Sequence, residues 1–117
     1  DVSDGGVACA TAEMALAGGI GLSLSLEDVG AETTRPTDLF CEAQARYLLA
    51  VHPGAQAEIV KLGNSLGVHA GWCGRVGGDN LTIITDPLNN HILADLPLAK
   101  LRESHESWLP AYMSSVN

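Results

Sequence analysis

Residues 74–85 read Gly-Arg-Val-Gly-Gly-Asp-Asn-Leu-Thr-Ile-Ile-Thr, and this stretch decides which fold the chain is expected to adopt. Gly77-Gly78-Asp79-Asn80 has the composition of a tight turn, because these residue types tolerate the positive φ that such turns require. The residues before it predict a strand over Val68–Arg75, and those after it predict a returning strand over Leu81–Thr85. The pattern therefore predicts a β-hairpin. Residues 74–78 resemble a phosphate-binding loop in composition only, because no Lys-Ser or Lys-Thr follows them.

Four further elements are predicted upstream of this turn. Apolar residues at helical spacing predict a helix over Val7–Ala17, capped by Ser3 or Asp4, and a second helix from Ala55 to Leu66. Alternating leucines predict a half-buried strand over residues 22–26. The nearly continuous apolar centre of Leu39–Val51 predicts a strand that is buried on both faces. The polar segment 27–36 between the two strands predicts a loop or a short turn of helix.

Downstream of the turn, the sequence predicts a loop followed by one short helix. Asp86–Asn90 is rich in Asp, Pro and Asn, which are loop residues. Pro97 opens an amphipathic helix that carries Leu98 and Leu101, and Trp108-Leu109-Pro110 marks the predicted end of the fold. The element order predicts the α+β class, with a mixed sheet of about four strands covered by helices.

Composition bounds the function of the chain. Its 117 residues suit one domain, 46% of them are hydrophobic, and the formal net charge of −8 offers no basic footprint for nucleic acid. The sequence contains no stretch of 18 apolar residues, so we expect no membrane segment and a cytoplasmic protein. Cys9, Cys41 and Cys73 lack metal-ligand spacing and are predicted to be buried free thiols.

The opening segment, Asp1-Val2-Ser3-Asp4-Gly5-Gly6, is the first candidate binding site. Two glycines before the first helical turn expose N–H groups, and the helix dipole adds about half a positive charge there. Such an end can hold a phosphate or a carboxylate without Lys or Arg. The alternative is an ordinary helix cap in which Asp4 satisfies these donors. The local sequence leaves both interpretations open.

A second candidate lies in Leu39–Arg46. In an extended chain Glu42, Gln44 and Arg46 point the same way, because side chains alternate along a strand. Three polar groups at the mouth of a buried strand could bind a polar ligand, or Glu42 could contact a metal ion. The alternative is a solvated strand entry with a weak Glu42–Arg46 ion pair, which contributes under about 1 kcal/mol when exposed.

No catalytic residue emerges from local motifs. The four histidines, His52, His69, His91 and His105, lack the spacing of metal ligands and are expected at the surface. Ser3 and Cys73 lack the local signature of an activated nucleophile.

The joint order of several motifs carries a family resemblance. These motifs are Asp1-Val-Ser-Asp-Gly-Gly-Val-Ala, Ala12-Glu13-Met14-Ala15, Leu39-Phe40-Cys41-Glu42-Ala43-Gln44-Ala45-Arg46-Tyr47, Gly67-Val68, Gly74-Arg75-Val76-Gly77-Gly78, Leu101-Arg102-Glu103 and Glu106-Ser107-Trp108-Leu109-Pro110. Together they resemble the last domain of the phosphoribosylformylglycinamidine synthase family, within the superfamily of aminoimidazole ribonucleotide synthetase. The similarity covers nearly the whole chain. We therefore expect residues 1–117 to be one domain from the C-terminal end of a larger enzyme.

The resemblance implies a fold and an activity. The fold is a three-layer α/β/α domain with partly ferredoxin-like topology. The activity is ATP-dependent conversion of formylglycinamide ribonucleotide to its amidine in purine biosynthesis, with Mg²⁺ and with ammonia from a glutamine amidotransferase domain or subunit. The ATP-binding domains of the same polypeptide are implied partners. The family's catalytic His, ATP-binding Lys and Mg²⁺ carboxylates lie in segments outside this chain.

Site residues transfer only in part. The family's substrate-contacting Glu-Ser-Gln belongs to the first of two pseudo-symmetric C-terminal domains, and this chain resembles the second. Its counterpart here is Glu42-Ala43-Gln44, in which Ala43 offers no hydroxyl. The candidate substrate- or nucleotide-binding residues are Asp1, Ser3, Asp4, Gly5, Gly6, Glu42, Gln44 and Arg46. The alternatives are a domain of a selenophosphate synthetase, thiamine-phosphate kinase or hydrogenase-maturation protein, or a stand-alone anion-binding module.

The resemblance predicts that the isolated 117-residue chain is inactive as a ligase, because the implied catalytic and ATP-binding groups lie elsewhere. We expect no cofactor to be retained by the chain alone. Incubating the purified chain with ATP, Mg²⁺, ammonia and formylglycinamide ribonucleotide, and measuring phosphate release, checks this prediction. Phosphate release that depends on the ribonucleotide would contradict it.

Overall fold

The computed structural model describes residues 1–26, 36–86 and 91–116. Within these ranges the helices are α1 (Gly6–Gly18), α2 (Pro36–Phe40), a 3₁₀ turn (Pro53–Ala55), α3 (Gln56–Ser65) and α4 (Leu98–Ser115). The strands are β1 (Leu22–Ser25), β2 (Gly74–Val76), β3 (Asn80–Asp86) and β4 (His91–Pro97). The predicted α+β class with a mixed sheet of four strands is confirmed.

The sheet order is β2-β1-β3-β4, so the predicted hairpin between β2 and β3 is not formed. Strand β1 lies between them, antiparallel to β2 and parallel to β3. Gly21 enters this gap: its N–H donates to the Gly78 carbonyl (2.7 Å), and its carbonyl accepts from the Gly77 N–H (2.8 Å). Residues 77–79 therefore do connect β2 to β3, as predicted. The two strands do not pair with each other, however, because β1 lies between them and pairs with both.

Helices cover the face of the sheet that carries the alternating leucines. Leu24 and Leu26 are buried on β1 and just beyond it, as the alternating pattern predicts, and Leu81 and Ile83 of β3 are buried as well. The side chains of this core come from α1, α2, α4, two strands and the first residues of the chain: Val2, Val7, Ala10, Ala15, Leu24, Leu26, Leu39, Leu81, Ile83 and Leu98. The core is aliphatic, and only the first turn of α4 reaches it.

Both helices that were predicted from apolar periodicity are present. The prediction over Val7–Ala17 is confirmed by α1, which ends at Gly19 in the left-handed conformation. The helix predicted from Ala55 to Leu66 is confirmed by α3 and the preceding 3₁₀ turn. Its leucines are exposed, however, with Leu62 at 59% and Leu66 at 68%. The C-terminal end of the apolar stripe of α3 is thus exposed, whereas Ala55 and Ile59 at its start are half-buried.

The predicted strand over Leu39–Val51 is wrong. Leu39 belongs to α2, and residues 41–52 form no strand. Tyr47 and Leu49 are 72% and 67% exposed, so the predicted burial on both faces is also wrong. Ala45 explains part of this difference, because its φ of 62° reverses the chain where a strand would need extended backbone.

The C-terminal part of the chain also differs from prediction. Strand β4, which pairs with β3, was not predicted. Helix α4 was predicted to be short, yet it has 18 residues and continues through Pro110 to Ser115. The strand predicted over Val68–Arg75 is confined to β2. The predicted loop Asp86–Asn90 lies outside the described residues except for Asp86, which ends β3. The loop or short helical turn predicted over residues 27–36 also lies outside them, except for residue 36, which begins α2.

The molecule is elongated, measuring 58 × 31 × 28 Å with a radius of gyration of 16.0 Å. A closely packed domain of this length is expected near about 13 Å. Helix α3 has no buried residue and α4 is buried only at Leu98, so both helices lie largely outside the packed core. In the part of the chain that the structure describes, no helix combines the length and apolar character needed to cross a membrane.

The position of Gly21 yields a stability prediction. A Cβ atom there would lie 2.4 Å from the Asn80 carbonyl oxygen, so Gly21→Ala forces β1 and β3 apart. We expect the free energy of unfolding, measured by urea titration, to fall by about 1–3 kcal/mol. Gly54→Ala is the matched control, because a Cβ at Gly54 meets open space. Equal stability of the two variants would show that Gly21 does not hold the strands together.

Candidate functional site

The structure brings the two predicted site segments together. The N–H of Val2 donates to the carbonyl of Arg46 (2.8 Å), which ties the opening segment to the segment that follows α2. We call residues 1–6 and 41–46 the paired loops. Their proximity was not predicted, because it depends on tertiary contacts that local sequence patterns do not encode.

Two glycines let the paired loops approach each other. Gly5 and Gly6 have φ of 81° and 70°, a left-handed conformation that favours glycine. A Cβ atom on Gly6 would lie 2.6 Å from the Leu39 carbonyl oxygen, and one on Gly5 would lie 2.4 Å from the Cys9 sulfur. Backbone therefore packs directly on backbone where α1 begins and α2 ends.

The N-terminus of α1 is not capped as predicted. Gly5 is the N-cap residue, and no side-chain cap from Ser3 or Asp4 is formed, because the backbone turns through two left-handed glycines there. The Gly5 N–H instead donates to Oε1 of Glu42 (2.9 Å), a carboxylate from the other loop. A carboxylate thus occupies a donor that the sequence assigns to a bound anion or to Asp4.

Arg46 holds the second loop in shape. Its Nε donates to the Ala43 carbonyl (3.2 Å), and its Nη2 donates to the Cys41 carbonyl. The Glu42–Arg46 ion pair of the alternative interpretation is not formed in the described structure. The left-handed Ala45 also breaks the alternation that would place Glu42, Gln44 and Arg46 on one side.

The paired loops are acidic and largely exposed. Asp1, Asp4 and Glu42 contribute three carboxylates, whereas the guanidinium of Arg46 is directed at carbonyl groups of its own loop. An incoming anion would have to displace Glu42 from the Gly5 N–H. Within residues 1–26, 36–86 and 91–116, no group of three or more His, Cys, Asp or Glu side chains could hold a metal ion. Binding by the eight candidate residues stays a prediction.

The histidines and cysteines add no further group to the site. All four histidines are exposed, as predicted. The three cysteines are free of disulfide bonds, but Cys41 is exposed and the other two are half-buried, so their predicted full burial is wrong.

Sequence reasoning missed a shallow, open groove on the sheet, lined by Ser23, Arg75, Gly77, Gly78, Thr82 and Asp95 among others. One oxygen of Asp95 accepts hydrogen bonds from the Asn80 amide (2.9 Å) and the Thr82 hydroxyl (3.0 Å). These bonds join β3 to β4. The groove could not be predicted because β4, which supplies Asp95, carries no recognisable strand pattern.

Comparison with known proteins assigns this chain to a family. The family model described as AIR synthase related protein, C-terminal domain, matches residues 1–86. The chain belongs to this family. The match includes α1, the paired loops and strands β1 to β3, so the features of the candidate site lie within the AIR synthase related domain.

Two curated relatives of this AIR synthase related domain carry the same name. Phosphoribosylformylglycinamidine synthase subunit PurL of Parvibaculum lavamentivorans is 39% identical over 117 residues, and that of Azorhizobium caulinodans is 37% identical over 115 residues. Each alignment covers 98% of this chain but 14% of the relative. The chain thus spans about a seventh of the length of these relatives. The family resemblance seen in the sequence is confirmed.

Solved structures agree on the fold of the domain. T. maritima PurL complexed with FGAR matches with a TM-score of 0.75 at 21% identity, over 86% of this chain and 17% of that chain. T. maritima PurL complexed with ATP matches with a TM-score of 0.72 at 20% identity, over 86% of this chain and 18% of that chain. At this identity the likeness establishes the architecture.

The bond between Glu42 and Gly5 yields a second stability prediction. Glu42→Ala removes the acceptor of the Gly5 N–H, so we expect the free energy of unfolding to fall by about 0.5–1 kcal/mol in urea titration. Gln44→Ala, in the same exposed loop, is the control and is expected to stay within about 0.5 kcal/mol of the unmodified chain. The interpretation fails if the two variants are equally stable.

Proposed function

We propose that this chain is a domain of a PurL-type phosphoribosylformylglycinamidine synthase. The observation that carries the proposal is the alignment of 98% of the chain with relatives of that name, which continues beyond the residues that the family model matches. The proposed activity of the whole protein is ATP-dependent conversion of formylglycinamide ribonucleotide to formylglycinamidine ribonucleotide. We propose that it acts in the cytoplasm, in purine biosynthesis.

The proposed role of this chain is to shape a site that other domains complete. ATP, when bound to the whole enzyme, supplies the phosphoryl group that activates the amide oxygen for displacement by ammonia. We assign Mg²⁺ to the ATP-binding domains of the same polypeptide, because the described residues hold no group of three or more His, Cys, Asp or Glu side chains that could bind a metal ion. A glutamine amidotransferase domain or subunit is the proposed source of ammonia.

The paired loops are the proposed contribution of this chain to that site. Asp1, Ser3, Asp4, Gly5, Gly6, Glu42, Gln44 and Arg46 are the residues concerned. Two observations support this assignment: the loops meet although they are distant in sequence, and the network of Glu42 and Arg46 holds them in one arrangement. Loops that are fixed in this way can orient a ligand without changing shape when it binds.

Two other functions compete with this proposal. A domain of another superfamily member, such as a selenophosphate synthetase, would share the family match but not the similarity to PurL. A stand-alone anion-binding module would use the start of α1. The carboxylate of Glu42 at the Gly5 N–H disfavours the module, because it occupies a donor that the anion needs.

The paired loops yield a prediction for the intact polypeptide that contains this chain. Gly6→Ala places a Cβ atom against the Leu39 carbonyl and displaces one loop from the other. We expect ribonucleotide-dependent ATP hydrolysis to fall by about 10- to 100-fold, since small displacements of a positioning group cost that much. Gly54→Ala, which meets open space, is the control.

Circular dichroism and the unfolding midpoint separate a local effect from misfolding in these variants. Activity within twofold of the unmodified polypeptide, with the fold intact, would show that the paired loops do not border the site (twofold is about 0.4 kcal/mol in the barrier). Absence of ribonucleotide-dependent hydrolysis in the unmodified polypeptide would overturn the proposed function itself.

A further inference from the structure

The C-terminal half of α4 carries an apolar surface that nothing in the described residues covers. This surface, the α4 stripe, consists of Trp108, Leu109, Tyr112 and Met113 of α4 and of Val116, the residue that caps its C-terminus. Each of these side chains is between 53% and 67% exposed. Their spacing of one, three, one and three residues places them on one side of the helix. Large side chains at such spacing are typical of a helix face that packs against a partner.

The α4 stripe continues a face that is already packed. Leu98 is buried at the start of α4, and Leu101 packs with it against the core beneath α1. Arg102 then donates to the Leu16 carbonyl near the end of α1 (2.7 Å). Beyond this contact α4 leaves the sheet, but the same face is apolar again from Trp108 to Val116. The start of this helix face is therefore covered by the core of the domain, whereas its C-terminal end is apolar but exposed.

The chemistry of the stripe favours an apolar partner. Residues 108–116 contain no charged side chain, in a chain whose net charge is −8. The rings of Trp108 and Tyr112 are stacked, with centroids 5.4 Å apart and planes at 11°. Aromatic side chains that are held in place before binding are effective anchors, because little conformational freedom remains to be lost.

Helix α4 is covered by the alignments with the PurL relatives but not by the match to the family model. The family model matches residues 1–86 and so excludes α4, whereas the PurL alignments cover 98% of the chain. Helix α4 thus lies outside the match to the general domain and within the similarity to PurL. Those relatives are about seven times longer than this chain, which leaves most of the polypeptide available as a partner.

We propose that the α4 stripe docks into an apolar groove on the remaining part of the same polypeptide, an inference that rests on the proposed function. Five side chains are far fewer than the roughly 20–30 residues a side of a stable interface between separate molecules. A covalently linked partner needs less area, because linkage raises its effective concentration. This argument favours an intramolecular partner over a second copy of the chain.

Cysteine labelling in the intact polypeptide tests the proposal. Met113→Cys places a thiol on the stripe, and Ser107→Cys places one on the opposite side of α4 as the matched control. Both positions are exposed in the described structure. Iodoacetamide labelling is followed at each site by peptide mass spectrometry, in the intact polypeptide and in the 117-residue chain. We expect position 113 to react at least about tenfold more slowly than position 107 only in the intact polypeptide, since a docked thiol reacts through transient opening.

The outcomes separate the docking proposal from the proposed function. Equal labelling at the two positions in an intact polypeptide that hydrolyses ATP with the ribonucleotide overturns docking alone. Protection of position 113 in the 117-residue chain, together with a dimeric mass in light scattering, identifies a second copy as the partner and also overturns it. Trp108→Glu provides a further check: it is expected to restore labelling at position 113 in the intact polypeptide, and continued protection contradicts the assignment.

Discussion

Strand β1 pairs with β2 on one side and with β3 on the other, and the rest of the domain depends on this double pairing. The strands can approach closely because Gly21 and Gly74 lack side chains where the strands meet. A Cβ atom built on Gly74 would clash with the Ser23 carbonyl oxygen. The pairing aligns Leu24 with Ile83 beneath α1. Val7 and Ala10 of α1 share a core cluster with these two residues, so the paired strands supply the surface on which α1 packs.

The sequence predicts those parts of the fold that local periodicity encodes. Helix α1, helix α3 and the alternation of Leu22, Leu24 and Leu26 follow from spacing alone. The predicted hairpin between β2 and β3 was wrong. Residues 77–80 have the composition of a tight turn whether the flanking strands pair with each other or with a third strand. The strand over residues 39–51 was wrong because an apolar run does not reveal which surface covers it, and Ala45 adopts a conformation that its residue type does not announce.

In the candidate site, too, local signals could be predicted from the sequence and tertiary contacts could not. Residue types identified both loops, because two glycines at a helix start and three polar residues after an apolar run are local signals. The hydrogen bond from Gly5 to Glu42 is a tertiary contact, so its effect on anion binding could not be predicted. Under the proposed function, the exposed apolar residues of α3 and α4 are expected to face other parts of a longer protein.

The order of the strands also has a consequence for the time course of folding. Leu24 pairs with Gly74, 50 positions later, and Leu22 pairs with Leu81, 59 positions later. Neither pairing can form until most of the domain has been synthesised, so β1 leaves the ribosome long before its partners. Non-local pairing of this kind slows folding, because loop closure costs entropy before any contact repays it. During synthesis, the apolar face of α1 therefore stays uncovered until the sheet forms. The stability of the domain thus depends on contacts that form late.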